Sequence, residues 1–265
     1  GGEAILDAMV EVVATLRNDN DTELVGVGMP GLVDNDGALR FAPHLPGVVD
    51  LAVRSELEKR VPGTRVRVEN DATCAVWGER ALGAARDVDH VLLVTLGTGI
   101  GGGIVSDGRL LRGANGFAGE IGHMVINPHG PPCRCGQRGG WERYASGSVL
   151  GRIGREAANA GQADRVMALA GGDPEDVKGE HVTAAAAEGD AQAVEIFNRF
   201  AWWLALGLAN LANVYDPSLF VLGGGLVEAG DVLLQPTRAA FAELLEGAAH
   251  RPEIAIVPAQ PGARA

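Results

Sequence analysis

Between positions 119 and 142 the chain gathers two carboxylates (Glu120, Glu142), two imidazoles (His123, His129) and two of its three thiols (Cys133, Cys135). The rest of the chain is rich in Ala, Val, Leu and Gly, so this concentration of polar chemistry marks a site or the frame of one. Glu120 and His123 are three apart, and one helical turn puts both on a single face. Together they offer an acceptor and a switchable donor to a ligand bearing several hydroxyls. Cys133 and Cys135 follow His123 by ten and twelve positions, and two sulfurs with one nitrogen suit tetrahedral Zn²⁺. Three ligands fall one short of the usual structural zinc. From spacing alone, two ordinary buried thiols in a loop account for the pair equally well.

Three further stretches carry potential chemistry. A strand over residues 65–68 ends in Glu69-Asn70-Asp71-Ala72 and leads into a helical pattern over 73–82. Locally, Asn70 or Asp71 caps that helix and satisfies its orphan N–H groups. Chemically, Asp71 is placed to act as a general base and Asn70 to hold a sugar hydroxyl. A strand over 91–95 runs into Leu96-Gly97-Thr98-Gly99-Ile100-Gly101-Gly102-Gly103, whose five glycines allow successive N–H groups to approach an anion. A plain tight turn would explain the same glycines, since no Gly-Lys-Ser/Thr follows and no dinucleotide fingerprint is present. A strand over 219–222 enters a second glycine turn, Gly223-Gly224-Gly225, before a helix beginning near Gly230.

The elements that must position these groups read as α/β. Ile5, Met9, Val12, Val13 and Leu16 recur at helical spacing over residues 1–18. An apolar strand follows at 24–29, broken by Pro30-Gly31, and Asn35-Asp36-Gly37 is a hairpin turn. Residues 49–60 read as a helix, separated by Pro62-Gly63 from the strand at 65. A polar break at 87–89 divides a small N-terminal α/β domain, 1–87, from a larger one, 88–265, which carries the Cys-x-Cys loop. Helices are expected at 147–160, 181–189 and 191–215, the last with Trp202 and Trp203 in core packing, and a final strand at 254–258. Strands, glycine turns and helices in both halves suggest a duplicated α/β architecture around a cleft.

Composition narrows the function. With 46% hydrophobic and 21% charged residues the chain is of ordinary soluble type. A net charge of −12 opposes a nucleic-acid partner, which needs clustered Lys and Arg. The longest uncharged run, 200–215, has sixteen residues and includes Asn210 and Asn213, short of the roughly 20 apolar residues that span a bilayer. The opening is amphipathic and acidic rather than basic then apolar, so neither a leader nor a membrane partner is expected. Three cysteines, two of them in one Cys-x-Cys pair, suit a reducing compartment, and the cytoplasm is the expected location.

Glu120-Ile121-Gly122-His123, then Cys133-Arg134-Cys135-Gly136-Gln137-Arg138-Gly139-Gly140-Trp141-Glu142 and the trailing Tyr144-Ala145-Ser146-Gly147, resemble the signature of the ROK family of sugar kinases and sugar-responsive repressors. That signature is Glu-x-x-His followed by Cys-x-Cys-Gly-x-x-Gly-Cys-x-Glu, and within the family the chain is most similar to bacterial glucokinases. The resemblance implies an actin-like (ribonuclease H-like) two-domain sugar kinase fold with a cleft between the domains. It implies phosphoryl transfer from ATP, with Mg²⁺, to the 6-hydroxyl of glucose, with Asp71 as the catalytic base. Asn70, Gly99, Glu120, His123 and Glu142 would hold the sugar, and Gly97, Thr98, Gly223, Gly224 and Gly225 the nucleotide. His123, Cys133 and Cys135 would bind zinc, although the family's third cysteine is Gly140 here, which leaves the fourth position to water or a group such as His129. A homodimer is the family-level expectation.

One departure concerns the ends. The family's opening Asp-x-Gly-x-Thr hairpin, which supplies the first phosphate motif, and its closing helix are not found in this sequence. The expectation is a fragment of a kinase, against a sugar-binding ROK protein without kinase activity. A kinase acting on N-acetylmannosamine, mannose or fructose fits the same signature, because discrimination among hexoses rests on pocket shape. A repressor would carry a helix-turn-helix segment, of which the sequence shows none.

Overall fold

Residues 1–19 and 23–260 are described by a computed structural model, with side chains for 1–17 and 23–260. The first unit opens with helix α1 (Gly2–Asp19) and strand β1 (Leu24–Met29). Strands β2 (Leu32–Val33), β3 (Leu39–Phe41) and β4 (Val49–Leu51) form a small antiparallel sheet. The turn between β2 and β3 is the expected one, with Gly37 at φ +74°. Helix α2 (Val53–Arg60) and strand β5 (Arg65–Asn70) follow, β5 lying parallel to β1 with Leu24 opposite Arg65 and Met29 opposite Asn70. The single helix expected over 49–60 is therefore two elements. Val49 and Leu51 pair across β3 with Phe41 and Leu39, and Asp50 sits at φ +52°, which no helix accommodates. Cross-strand pairing overrides the helical spacing there.

Helix α3 (Asp71–Leu82) joins this unit to the second, whose sheet contains β6 (Val91–Leu96), β7 (Ile100–Ser106) and β8 (Arg109–Leu110). A long loop then leads to helices α4 (Glu142–Ala145), α5 (Gly147–Asn159), α6 (Asp164–Leu169), α7 (Gly179–Ala187) and α8 (Ala191–Tyr215). Strand β9 (Leu219–Gly223), helix α9 (Asp231–Leu244) and strand β10 (Ala255–Pro258) complete it. The sheet order is β10-β9-β6-β7-β8, with β6 parallel to β9 and antiparallel to β7. β6 and β9 are near-continuous apolar runs, interrupted in β6 only by Thr95, because both faces are covered. One face meets α5, α7, α8 and α9 in the largest core, and the other meets α3, through Ala75 and Val76 against Leu93, Val105 and Val221.

Two expectations change on this scaffold. Gly101, Gly102 and Gly103 are not turn residues but lie inside β7, so only Gly97 and Gly99 remain in the turn. Their missing side chains admit neighbours: a Cβ at Gly103 would lie 2.5 Å from the Ala72 carbonyl oxygen, and one at Gly102 2.5 Å from the Gly119 carbonyl oxygen. The core packing expected of Trp202 and Trp203 holds for Trp203, which packs against the largest core, and not for Trp202. Trp202 is 40% exposed and Trp203 packs its ring on Tyr144 at 4.3 Å, whereas the fully buried indole is Trp141. Among the described residues, no helix is long and apolar enough to cross a membrane.

Glu79, a fully buried carboxylate on α3, ties the end of this helix to the segment that follows it and to a remote one near the end of the chain. Its Oε2 accepts the Ala84 N–H at 2.6 Å and its Oε1 the Gln260 N–H at 3.1 Å. Glu79→Gln would turn one acceptor into a donor facing a donor, so chemical denaturation should show a loss of about 1–3 kcal/mol. An unchanged midpoint would mean that water replaces the lost bond.

Candidate active site

Asn70 and Asp71 divide the two roles that the sequence left open between them. Asn70, in extended conformation at the end of β5, is the N-cap of α3: its Oδ1 accepts the Thr73 N–H at 3.1 Å, and its Nδ2 donates to the Gly31 carbonyl at 3.2 Å. One amide hydrogen of Asn70 remains for a ligand. Asp71 is spared the capping duty. Its Oδ1 accepts the Ala72 N–H at 2.8 Å, and the residue is exposed at the protein surface. Partial loss of solvent nevertheless raises the Asp71 pKa, offset in part by backbone N–H groups.

Glu120 reaches the same region from the loop after β8. Gly119, at φ +106°, lies so close to β7 that a Cβ there would be 2.6 Å from the Gly102 oxygen, and a single 3₁₀ turn (Ile121–His123) follows. That turn realises the expected shared face, with Glu120 Oε2 3.7 Å from His123 Nε2. The opposite ring nitrogen, Nδ1, lies 3.8 Å from Glu142 Oε1 and 3.7 Å from Cys133 Sγ. Glu142 is held by its neighbour, since the buried Trp141 donates from Nε1 to the Trp203 carbonyl at 2.9 Å and fills the space that Gly207 of α8 leaves open. Glu142 then covers Gly99, where a Cβ would sit 2.5 Å from Oε2.

Burial raises the Glu120 pKa, the charges of Asp71 and Glu142 raise it further, and His123 partly counters them. The charges of Asp71 and Glu142, from segments far apart in the chain, are therefore both felt at Glu120. A cluster of this kind presents acceptors and one imidazole to a polyhydroxylated ring, with Asp71 at its edge as a desolvated base.

Behind His123 the zinc donors converge. One atom each from His123, Cys133 and Cys135 lies within 4.8 Å of the others, and this nitrogen-and-sulfur set fits zinc. His129 is not among the converging donors. Metal-free, the Cys133 thiol is pushed up to about 12, first by burial and then by its bond to Glu142 Oε1 at 3.0 Å. Gly140 adjoins the set, as a Cβ there would be 3.6 Å from His123 Cα and 3.3 Å from the Gly122 oxygen. Gly140→Cys should thus add a fourth donor and tighten zinc binding about tenfold or more in competition with a chromophoric chelator. Equal affinities would show that the fourth position is already filled.

Gly97, Thr98 and Gly225 line an adjoining cavity of about 620 Å³, together with Ser148, Lys178 and Thr183. Gly223 and Gly224 are not among its lining residues. Gly223 ends β9 opposite Thr95, and Gly224, at φ +85°, presses the turn onto the Leu96 backbone. Ser148, whose Oγ donates to the Thr98 carbonyl at 2.9 Å, escaped sequence reasoning, as did Lys178 and Thr183. They follow no spacing rule and reach the cavity only through helix packing. Thr98 belongs to this cavity while the next residue, Gly99, faces Glu142, so the two sites meet at one peptide unit.

Comparison with known proteins gives the same family along the chain. The family model described as ROK family matches residues 2–265. A glucokinase from Streptomyces coelicolor is 40% identical over 99% of this chain and 83% of its own length. One from Thermotoga maritima is 38% identical over 90% of this chain and 75% of its own. A crystal structure of a ROK family glucokinase from Streptomyces griseus in complex with glucose and AMPPNP superposes with a TM-score of 0.88 at 40% identity, covering 98% of this chain and 84% of that one. The fold is the actin-like α/β fold of these sugar kinases.

Proposed function

The chain belongs to the ROK family, and on that premise we propose that it is a glucokinase, transferring the γ-phosphoryl group of ATP to the 6-hydroxyl of glucose. The observation that carries this reading is the junction at Thr98 and Gly99, where a cavity suited to a nucleotide meets a cluster suited to a sugar. The glucokinase relatives support the choice of reaction.

Phosphoryl transfer asks for alignment, a base and charge neutralisation rather than covalent chemistry. Asp71 accepts the proton of the 6-hydroxyl as that oxygen attacks phosphorus. Its raised pKa makes it a better base than a solvated carboxylate. The free Asn70 amide hydrogen, Glu120, His123 and Glu142 bind the remaining hydroxyls, and Gly99 allows the ring to lie close to the backbone. Mg²⁺, carried by ATP and water, supplies charge neutralisation on the phosphates. Zn²⁺ held by His123, Cys133 and Cys135 would fix the imidazole from its Nδ1 side and leave Nε2 toward Glu120 and the sugar.

The test is coupled-assay turnover with Mg-ATP against glucose, mannose, fructose and N-acetylmannosamine. The highest kcat/KM is expected for glucose. Binding of glucose with no phosphorylation of any of the four would sink the kinase reading in favour of a sugar-binding protein.

A further inference from the structure

We infer that a second crevice, walled by the β2–β3 turn, β5, α3 and β8, binds a phosphomonoester carried on a ring. It encloses about 450 Å³ and is lined by none of the residues assigned above to the sugar or nucleotide. Three guanidinium groups line it, those of Arg54, Arg67 and Arg112, in a chain whose net charge is −12.

Its two carboxylates are already engaged. Glu69 pairs with Arg112 at 2.5 Å. Asp34 accepts the N–H groups of Asp36 and Ala38, each at 2.9 Å, and pairs with Arg40 at 2.7 Å. Arg54 and Arg67 are left with no side-chain hydrogen bond or ion pair among the described residues. Arg54 is nevertheless held in place. Its backbone N–H donates to the Gly37 carbonyl at 3.1 Å, and its stem lies against Gly37 so closely that a Cβ there would be 2.9 Å away. Two unpaired like charges facing one crevice repel each other, and a dianion between them removes that cost. Guanidinium pairs recognise phosphate oxygens through paired N–H donors, which favours a phosphomonoester over a carboxylate with a single charge.

The ring is inferred from Trp77. It is 46% exposed and lies on the face of α3 that carries Thr73 and Cys74, a flat apolar surface beside the cations. Ring and phosphate together suit a sugar phosphate or a nucleoside monophosphate, and a crevice of this volume is within the range of small-molecule sites. Arg54 and Arg67 belong to the first unit, and Arg112 follows β8 of the second, so an occupant would bridge the two. It would also touch α3, the helix that begins at Asp71.

The experiment is equilibrium binding by calorimetry and tryptophan fluorescence on the full chain, with glucose 6-phosphate, AMP and inorganic phosphate as separate probes. Glucose 6-phosphate is also the product of the proposed reaction and AMP resembles its nucleotide, so the crevice is read from the part of the binding that depends on Arg54 and Arg67. Saturable binding of at least one ringed probe is expected, tighter than inorganic phosphate. Arg54→Gln/Arg67→Gln should weaken it about tenfold or more, and the exposed Arg67→Gln alone by a smaller factor, with circular dichroism unchanged. Trp77→Phe should lose the fluorescence change while calorimetry still detects the ligand. Tighter binding of glucose 6-phosphate would identify the sugar phosphate, and tighter AMP the nucleotide. Equal affinity for all three probes would overturn the ring. No saturation by about 10 mM, or unchanged affinity in Arg67→Gln and the double variant, would overturn the site.

Discussion

Asp71→Asn is expected to cut kcat by about 10²–10⁴-fold while leaving sugar affinity and folding intact. The cap of α3 belongs to Asn70, and an Asn at 71 keeps an oxygen for the Ala72 N–H, so neither helix geometry nor the cleft wall should change. Stability gives an independent check. Burial raises the folded-state pKa of Asp71 above its unfolded value, so between those values the folded state binds more protons. The stabilising effect of that extra proton is fully present below the unfolded pKa and is lost as pH rises through the folded one. Above its folded-state pKa the ionised Asp71 is therefore a cost, and there Asp71→Asn should melt at the same temperature or slightly higher. The same shift moves the acid limb of kcat/KM for the native chain upward from that of a solvated Asp. Substantial turnover by Asp71→Asn would refute the base assignment, and a clearly lower melting temperature would mean that Asp71 has a structural role.

How much of this was legible in the sequence depended on whether a feature is local. The Glu120-x-x-His123 pair is a property of one turn, and the coordinates bring the two side chains to 3.7 Å. The strands expected over 91–95 and 219–222 are found as β6 and β9, whose near-continuous apolar runs suit strands covered on both faces. Asn70 and Asp71 were each plausible caps, and only the backbone conformation at 70 assigns the duty. Residues 49–60 misled because Val49 and Leu51 satisfy a helical pattern as readily as a strand, and the partner that decides, β3, lies outside the window. Lys178 and Thr183 were invisible for a similar reason, since α7 meets the glycine turn only after the second unit has packed.

The glycines at 101–103 carry the most consequential difference between sequence and fold. As turn residues they would serve an anion, and substitution would weaken nucleotide binding alone. Inside β7, Gly101 and Gly103 make room for α3 and Gly102 for the loop at 119–121, and Gly103 is the tightest test of the packing against α3. A Cβ there would be 2.5 Å from the Ala72 carbonyl oxygen and 2.6 Å from Val76 Cγ1, closer than real contacts allow. The first obstacle is backbone, so a side-chain rotation cannot relieve it, and α3 must move off the sheet. Gly103→Ala should therefore lower stability by about 1–3 kcal/mol or more, the usual scale of overpacking in a filled core. Because Ala72 directly follows Asp71, the same displacement carries the base away from its aligned position. A shift approaching 1 Å in a reacting group costs on the order of 10²-fold in rate, so kcat should fall even under conditions where the variant is fully folded. ATP affinity, measured by titration in the absence of sugar, should change least, since Gly97 and Thr98 lie outside the displaced contact. A variant with native stability and kcat but weakened ATP binding would return these glycines to the phosphates and remove α3 from its place as the link between sheet and base.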